Sequence, residues 1–87
     1  MKRNPMADPS HPRNRNTVDA MGSLVCLLLL QWRSPPGELR DRLTQGVRQL
    51  RANLYETAAD AGLDGKGMER LARRAFVEIK TETEALN

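Results

Sequence analysis

The sequence has few of the residues on which many folds and most active sites depend. It contains one cysteine, one histidine and only three aromatic residues among its 87. A single cysteine allows no internal disulfide, and His11 has no cysteine or acidic cluster near it, so no metal or cofactor site is expected. Few aromatic rings are present on which nucleic-acid bases could stack. We therefore expect no enzyme and no cofactor.

Neither sign of charge dominates the chain. Lys and Arg number 14 against 11 Asp and Glu, which gives a net charge of +3. Such a mild excess is compatible with an anionic partner but does not require one. Nucleic acid and an anionic membrane surface therefore stay as alternatives to a protein partner, although the sequence shows no recognition-helix signature for nucleic acid.

The chain does have an unbroken apolar run, residues 24–30, which Trp32 follows. A helix that is apolar on all sides must be covered on all sides, and the rest of the chain offers two amphipathic helices at most. The run is too short to span a membrane, which takes about 20 apolar residues. Cys26 within it is expected to be a small buried hydrophobe. The run predicts an interface with another protein, a second copy or a lipid surface, made by Leu24, Leu27, Leu28, Leu29 and Trp32.

Apolar periodicity predicts an all-α fold with three helices, over about residues 17–33, 36–61 and 64–84, packed as a small bundle. Residues 1–16 contain three prolines and show no apolar periodicity. They are therefore predicted to form a disordered basic arm in front of a single helical domain, 17–87. Such an arm would be dispensable for folding.

Local signals mark the ends of these helices. Ser34 is a candidate N-cap for the second helix, with Pro35 at its first helical position and Glu38 complementing the helix dipole. Gly62 is the expected left-handed stop of that helix. Asp64 is expected to cap the third helix.

The second helix carries one apolar stripe, whose members recur every three or four residues. They are Leu39, Leu43, Val47, Leu50, Leu54, Ala58 and Ala61. This spacing predicts a helix with one buried face. Gly46 beside the stripe is expected either to permit a close helix crossing or simply to be tolerated.

Charged side chains give two further expectations. Four arginines fall within one sector beside the stripe and form a candidate anion-binding strip: Arg33, Arg40, Arg48 and Arg51. The alternative is a solvated flank whose arginine stems shield the apolar edge. Glu69 and Arg73, four residues apart, are expected to pair on the exposed side of the third helix.

Four segments, taken in order, resemble one known family. They are Leu27-Leu28-Leu29-Leu30, Ser34-Pro35-Pro36-Gly37-Glu38-Leu39-Arg40, Ala61-Gly62-Leu63-Asp64 and Ala72-Arg73-Arg74-Ala75-Phe76. This order resembles the helical cytoplasmic domain of the DotU/TssL family of bacterial type VI and type IVB secretion systems, over about residues 24–82. Arg74 and Thr81 depart from the family, which has an aromatic residue and an Asp there, and the family's later helices and membrane anchor are absent. The resemblance implies a fragment or reduced relative that acts as a non-catalytic scaffold. It would dock secretion-apparatus proteins in the cytoplasm, at the inner face of the membrane.

Overall fold

The computed structural model of the chain describes residues 12–86, with side chains from residue 14 onward. This part of the chain forms three helices, α1 (Pro12–Arg33), α2 (Glu38–Asp60) and α3 (Gly65–Leu86). Each helix packs against the other two, and α1 packs most extensively against α2. The predicted all-α fold with three helices is confirmed.

The core lies between the three helices and consists of small and medium-sized apolar side chains. Its members are Ala20, Leu24 and Leu28 from α1, Val47 and Leu54 from α2, and Ala72 from α3. Leu24 and Leu54 are completely buried. Coverage is less complete elsewhere, because Leu39 at the start of the predicted α2 stripe is exposed, as are Leu71 and Ile79 on α3. The core is therefore small and centred on the middle of the bundle.

The first helix begins five residues earlier than predicted, at Pro12. Proline is favoured in the first helical turn, because the N–H that it lacks would have no helical partner there. The inward face then continues through Asn14 and Thr17, which are both buried. The prediction missed this turn because its inward-facing residues are polar and give no apolar periodicity. Residues 12–16 are thus helical and not part of a disordered arm, whereas residues 1–11 lie outside the described residues.

The start of α2 also differs from the prediction. Gly37, with a φ of 152°, is the N-cap, and Glu38 is the first helical residue. Ser34 does not cap α2, because its hydroxyl donates a 2.7 Å hydrogen bond to the carbonyl oxygen of Leu30 and closes the end of α1 instead. Pro35 lies in the connection, since a residue that precedes another proline avoids the helical conformation. Glycine is the residue that most readily takes up the backbone conformation found at position 37.

The turn between α2 and α3 follows the local signals. Gly62 has a φ of 71°, and the N–H of Leu63 donates to the carbonyl oxygen of Ala58 at 2.8 Å. This pattern is the Schellman motif that commonly ends a helix at glycine. The carboxylate of Asp64 accepts a 3.1 Å hydrogen bond from the N–H of Lys66, as an N-cap does. Both predicted helix ends are confirmed.

We expect a chain that lacks residues 1–16 to be less stable than a chain that lacks residues 1–11. The larger deletion removes the first turn of α1 with the buried Asn14 and places Thr17 at a helix end. A loss of about 1 kcal/mol lowers the thermal midpoint of a domain this small by roughly 4–8 °C. Thermal unfolding followed by circular dichroism measures the difference. Equal midpoints for the two truncations would show that residues 12–16 contribute no stability.

Candidate functional site

Helix geometry divides the apolar run of α1 between the core and the surface. Leu24 and Leu28 are 0% and 6% exposed, so their assignment to a surface interface is wrong, and both belong to the core. Successive helical residues turn by about 100°. Cys26, which lies between these two leucines, therefore points away from the core and is exposed. The expectation of a buried Cys26 is wrong for the same reason.

Leu27 lies where α1 and α2 cross. A methyl group added at Gly46 would lie 3.0 Å from the Cδ1 atom of Leu27, which is closer than ordinary van der Waals contact. Beside this crossing, the side-chain amide of Gln31 donates a 2.7 Å hydrogen bond to the hydroxyl of Thr44. Gly46 thus leaves room for the end of the Leu27 side chain, and no backbone atom of α1 lies within 4 Å of the position of the added methyl group.

Trp32 and Leu29, the remaining predicted interface residues, are half-buried. The guanidinium of Arg33 and the ammonium of Lys80 lie 5.3 and 5.6 Å from the centroid of the Trp32 ring. Both distances suit cation–π attraction. Because Lys80 belongs to α3, the Trp32 ring joins the end of α1 to α3 and is already engaged within the chain.

The side of α1 that faces away from the core has no covering helix among the described residues. We call it the outer face of α1, and it consists of Val18, Gly22, Cys26 and Leu30, which follow one another at four-residue spacing. Val18 is 49% and Leu30 is 54% exposed. None of these four residues was in the predicted interface, although Cys26 and Leu30 belong to the apolar run. The sequence could have indicated these residues, because a position two residues from a buried leucine such as Leu24 or Leu28 lies on the opposite side of the helix. This spacing identifies the exposed side only when the buried side is known.

An open groove of about 1090 Å³ adjoins the outer face, between α1 and α2. Its walls include Gly22 and Cys26 on one side and Leu50 on the other, with Asp19 and Asn53 as polar members. No atom lies within 4 Å of the position that a methyl group at Gly22 would take. The outer face and this groove form one continuous surface in which small residues leave room for another side chain.

The four predicted anion-binding arginines do not form one strip. Arg33 is the last residue of α1, whereas the other three arginines belong to α2, beyond the break between the two helices. Arg51 forms an ion pair with Glu69 of α3, with 3.1 Å between Nε and Oε2. Arg40 and Arg48 are exposed on α2, and neither makes an ion pair with another described residue. The helix break therefore removes Arg33 from the sector read from the sequence, whereas Arg51 stays in that sector of α2 but is paired with Glu69.

Glu69 is the buried carboxylate among the described residues. It accepts a hydrogen bond from the hydroxyl of Tyr55 and pairs with Arg51 and Arg73 at 3.1 and 2.9 Å. The pair with Arg73 was expected on the exposed side of α3, but Tyr55 and Arg51 of α2 cover it. A methyl group at Gly65 would overlap the Tyr55 ring, so this glycine allows the close contact. The sequence carried no signal for this cluster, because the pattern within one helix does not tell which residues of another helix it meets.

The hydrogen bond from Tyr55 holds the pKa of Glu69 below its ordinary value, and the nearby Arg73 and Arg51 act in the same direction, while burial opposes them. A carboxylate with a lowered pKa is a weak base, and proton transfer favours groups with a pKa near the working pH. This environment therefore favours a structural role for Glu69, which links α2 to α3, over a role in proton transfer.

Stability is expected to depend on the ionisation of Glu69. Because the pKa of Glu69 is lowered in the folded chain, its contribution is present above the ordinary pKa of about 4.3 and is lost as the pH falls through the folded value. Glu69→Gln should lower the free energy of unfolding by about 1–3 kcal/mol at pH 6. Between pH 6 and pH 3, the free energy of unfolding should decrease less in this variant than in the original chain. Urea unfolding at both pH values measures this.

Glu78→Gln is the matched control for this prediction, because Glu78 belongs to α3 but its pair with Arg74, at 3.6 Å, is exposed. Exposed pairs contribute little, so this variant should keep the pH dependence of the original chain. Identical pH dependence in the original chain and in Glu69→Gln would show that the cluster does not couple protonation to folding.

None of the three described helices has the length and apolar content that crossing a membrane requires. No protein-family model, curated protein or solved structure matches the chain. The DotU/TssL resemblance is neither confirmed nor contradicted by these comparisons and stays a prediction. Function must therefore be inferred from the surfaces that the described residues present.

Proposed function

We propose that this chain is a non-catalytic helical interaction module that binds protein through the outer face of α1. The observation that carries the proposal is the division of one apolar helix. Leu24 and Leu28 are buried, whereas Cys26 and Leu30 face solvent. Removing apolar surface from water favours association roughly in proportion to the area removed. A partner that covers this side would complete the burial that α2 and α3 begin.

The exposed side chains provide a driving force only when they are covered together. Burying a fully exposed side chain of this size contributes about 1.5–3 kcal/mol, and Val18 and Leu30 are each about half-exposed. Association also costs translational and rotational freedom and side-chain ordering. One side chain would not offset that cost. A row that shares one helix face and continues into the adjoining groove supports the proposal, because one partner surface can cover all of it.

The anionic partners considered above are supported by fewer residues than the sequence indicated. Arg51 is paired with Glu69, and Arg33 lies on a different helix from the others. Of the four predicted anion-binding arginines, only Arg40 and Arg48 are on one helix and without an ion pair to a described residue, and they lie about two helical turns apart. Binding of nucleic acid through these residues would weaken steeply with added salt, whereas association through the outer face of α1 should hardly change.

The resemblance to the DotU/TssL family adds a predicted place of action. It would make the module a scaffold that docks other secretion-apparatus proteins in the cytoplasm, at the inner face of the bacterial inner membrane. The uncovered outer face of α1 suits such a docking role without being specific to it. A leucine-rich first helix is the feature that the resemblance and this surface have in common.

We expect the purified chain to exceed the monomer mass at micromolar concentration, and Leu30→Glu to reduce it to a monomer. The glutamate would have to bury an unpaired charge in the interface, which opposes association strongly. Light scattering as a function of concentration measures the mass of each chain. Circular dichroism checks that the variant keeps its helical content.

Val77→Glu provides the matched control, because Val77 on α3 is as exposed as Leu30, at 54%, but lies outside the outer face of α1. It should associate as the original chain does. Equal loss of association in both variants would contradict the proposed surface. A clean monomer mass of the original chain at every concentration, without detergent or partner, would contradict self-association through this face.

A further inference from the structure

Two opposite charges on the same side of α1 as the outer face lie at equal distances along the helix from Cys26. Asp19 lies seven residues before Cys26 and Arg33 lies seven residues after it, while Gly22 and Leu30 lie four residues before and after it. At 100° per residue, all five belong to the side of α1 opposite the core. Between Asp19 and Arg33 the order of these five residues is therefore complementary to its own reverse: the negative charge matches the positive one, and the small Gly22 matches the large Leu30.

Resting on the proposed function, we propose that the occupant of this face is a second copy of the chain, packed antiparallel along α1 with a twofold axis at Cys26. A twofold interface is isologous, so a residue that contacts a second residue across it is contacted by that same residue in return. Antiparallel packing about Cys26 sets Asp19 of each copy against Arg33 of the other. Parallel packing in register would instead set Asp19 against Asp19.

Both charges are available for such pairing. Asp19 and Arg33 are exposed, and no ion pair between described residues includes either of them. The contact of Arg33 with the Trp32 ring, at 5.3 Å, holds this cation beside the end of the face without neutralising it. Charge complementarity across the face thus favours the antiparallel arrangement over the parallel one.

The shape of the face also suits the reverse of itself. Gly22 leaves open space, with no atom within 4 Å of the position of an added methyl group. In the antiparallel arrangement, Leu30 of the second copy lies opposite this space. Helices that pack closely have axes 8–10 Å apart, and the small side chains of Gly22 and Cys26 permit the lower part of that range. The two sites where Leu30 meets Gly22 would bury Leu30, the more exposed of the two large apolar side chains of the face.

Cys26 reports directly on this geometry. Two cysteines beside a twofold axis lie close enough to form a disulfide, which requires Cα atoms about 4.4–6.8 Å apart. Treating the associated chain with diamide, which takes up the two electrons and two protons of the thiols, should yield a covalent dimer within minutes. Non-reducing electrophoresis and intact mass measure the yield. Glu56→Cys in a Cys26→Ser background is the control, because position 56 is exposed on α2 and should give little dimer.

The relative direction of the helices is tested with two further variants, Asp19→Cys and Arg33→Cys, each in the Cys26→Ser background. A mixture of the two should cross-link, and each variant alone should not. Asp19→Arg should weaken association roughly tenfold by setting like charges opposite each other, and adding Arg33→Asp to the same chain should restore it. Restoration would not follow if either residue acted only on the fold.

The outcomes separate the inference from the proposed function. Two results would overturn the antiparallel arrangement alone: Asp19→Cys cross-links to itself, or Cys26 gives no covalent dimer. If Leu30→Glu still abolishes association, the interaction surface is supported even though the arrangement is wrong. A chain that stays monomeric overturns the second copy as the occupant, and salt-sensitive binding of DNA or of vesicles containing anionic lipid would overturn the proposed function as well. Rapid Cys26 dimer formation with cross-linking of the mixed variants supports the inference.

Discussion

Two helices packed against a third can cover only part of its circumference, and this geometric limit determines the surface of the chain. Between Leu24 and Leu30 every residue of α1 is apolar. Helices α2 and α3 cover the side with Leu24 and Leu28, and the side with Cys26 stays in water. No further helix among the described residues reaches it. An apolar helix in this position therefore presents a binding surface as a direct consequence of the fold.

The same shortage of covering surface explains why a polar cluster holds α3 in place. The fully buried apolar side chain that α3 contributes to the core is that of Ala72, which is small. Polar contacts of Glu69 add to this limited apolar contact between the helices. Glu69 binds Tyr55 and Arg51 on α2 and Arg73 on its own helix. Removing one partner of such a buried group is costly, because the charge that remains has lost its compensation. The cluster thereby fixes how α3 lies against α2.

Some features set by local sequence could be predicted, whereas features set by contacts between helices could not. The start of α2 is a local feature that was predicted wrongly, because Ser34 closes the end of α1 and leaves Gly37 as the N-cap. Gly62 and Asp64 mark helix ends through their own backbone and side-chain chemistry, and the structure shows both as expected. Asn14 extends α1 through a buried polar position that shows no apolar periodicity. The exposure of Cys26 depends on which side of α1 its neighbours cover, and the burial of Glu69 depends on side chains from α2. The exposure or burial of these two residues is decided only by how the three helices pack together.

The accessibility of Cys26 tests most directly whether a partner covers the outer face of α1. The thiol is exposed in the single chain, so it should react rapidly with an excess of a maleimide reagent when the protein is dilute. We expect the rate constant to fall as the protein concentration rises through the range of association. The rate in the Leu30→Glu variant should stay high throughout. A rate constant for the original chain that is the same at every protein concentration would contradict the claim that the outer face of α1 is where copies of this chain meet.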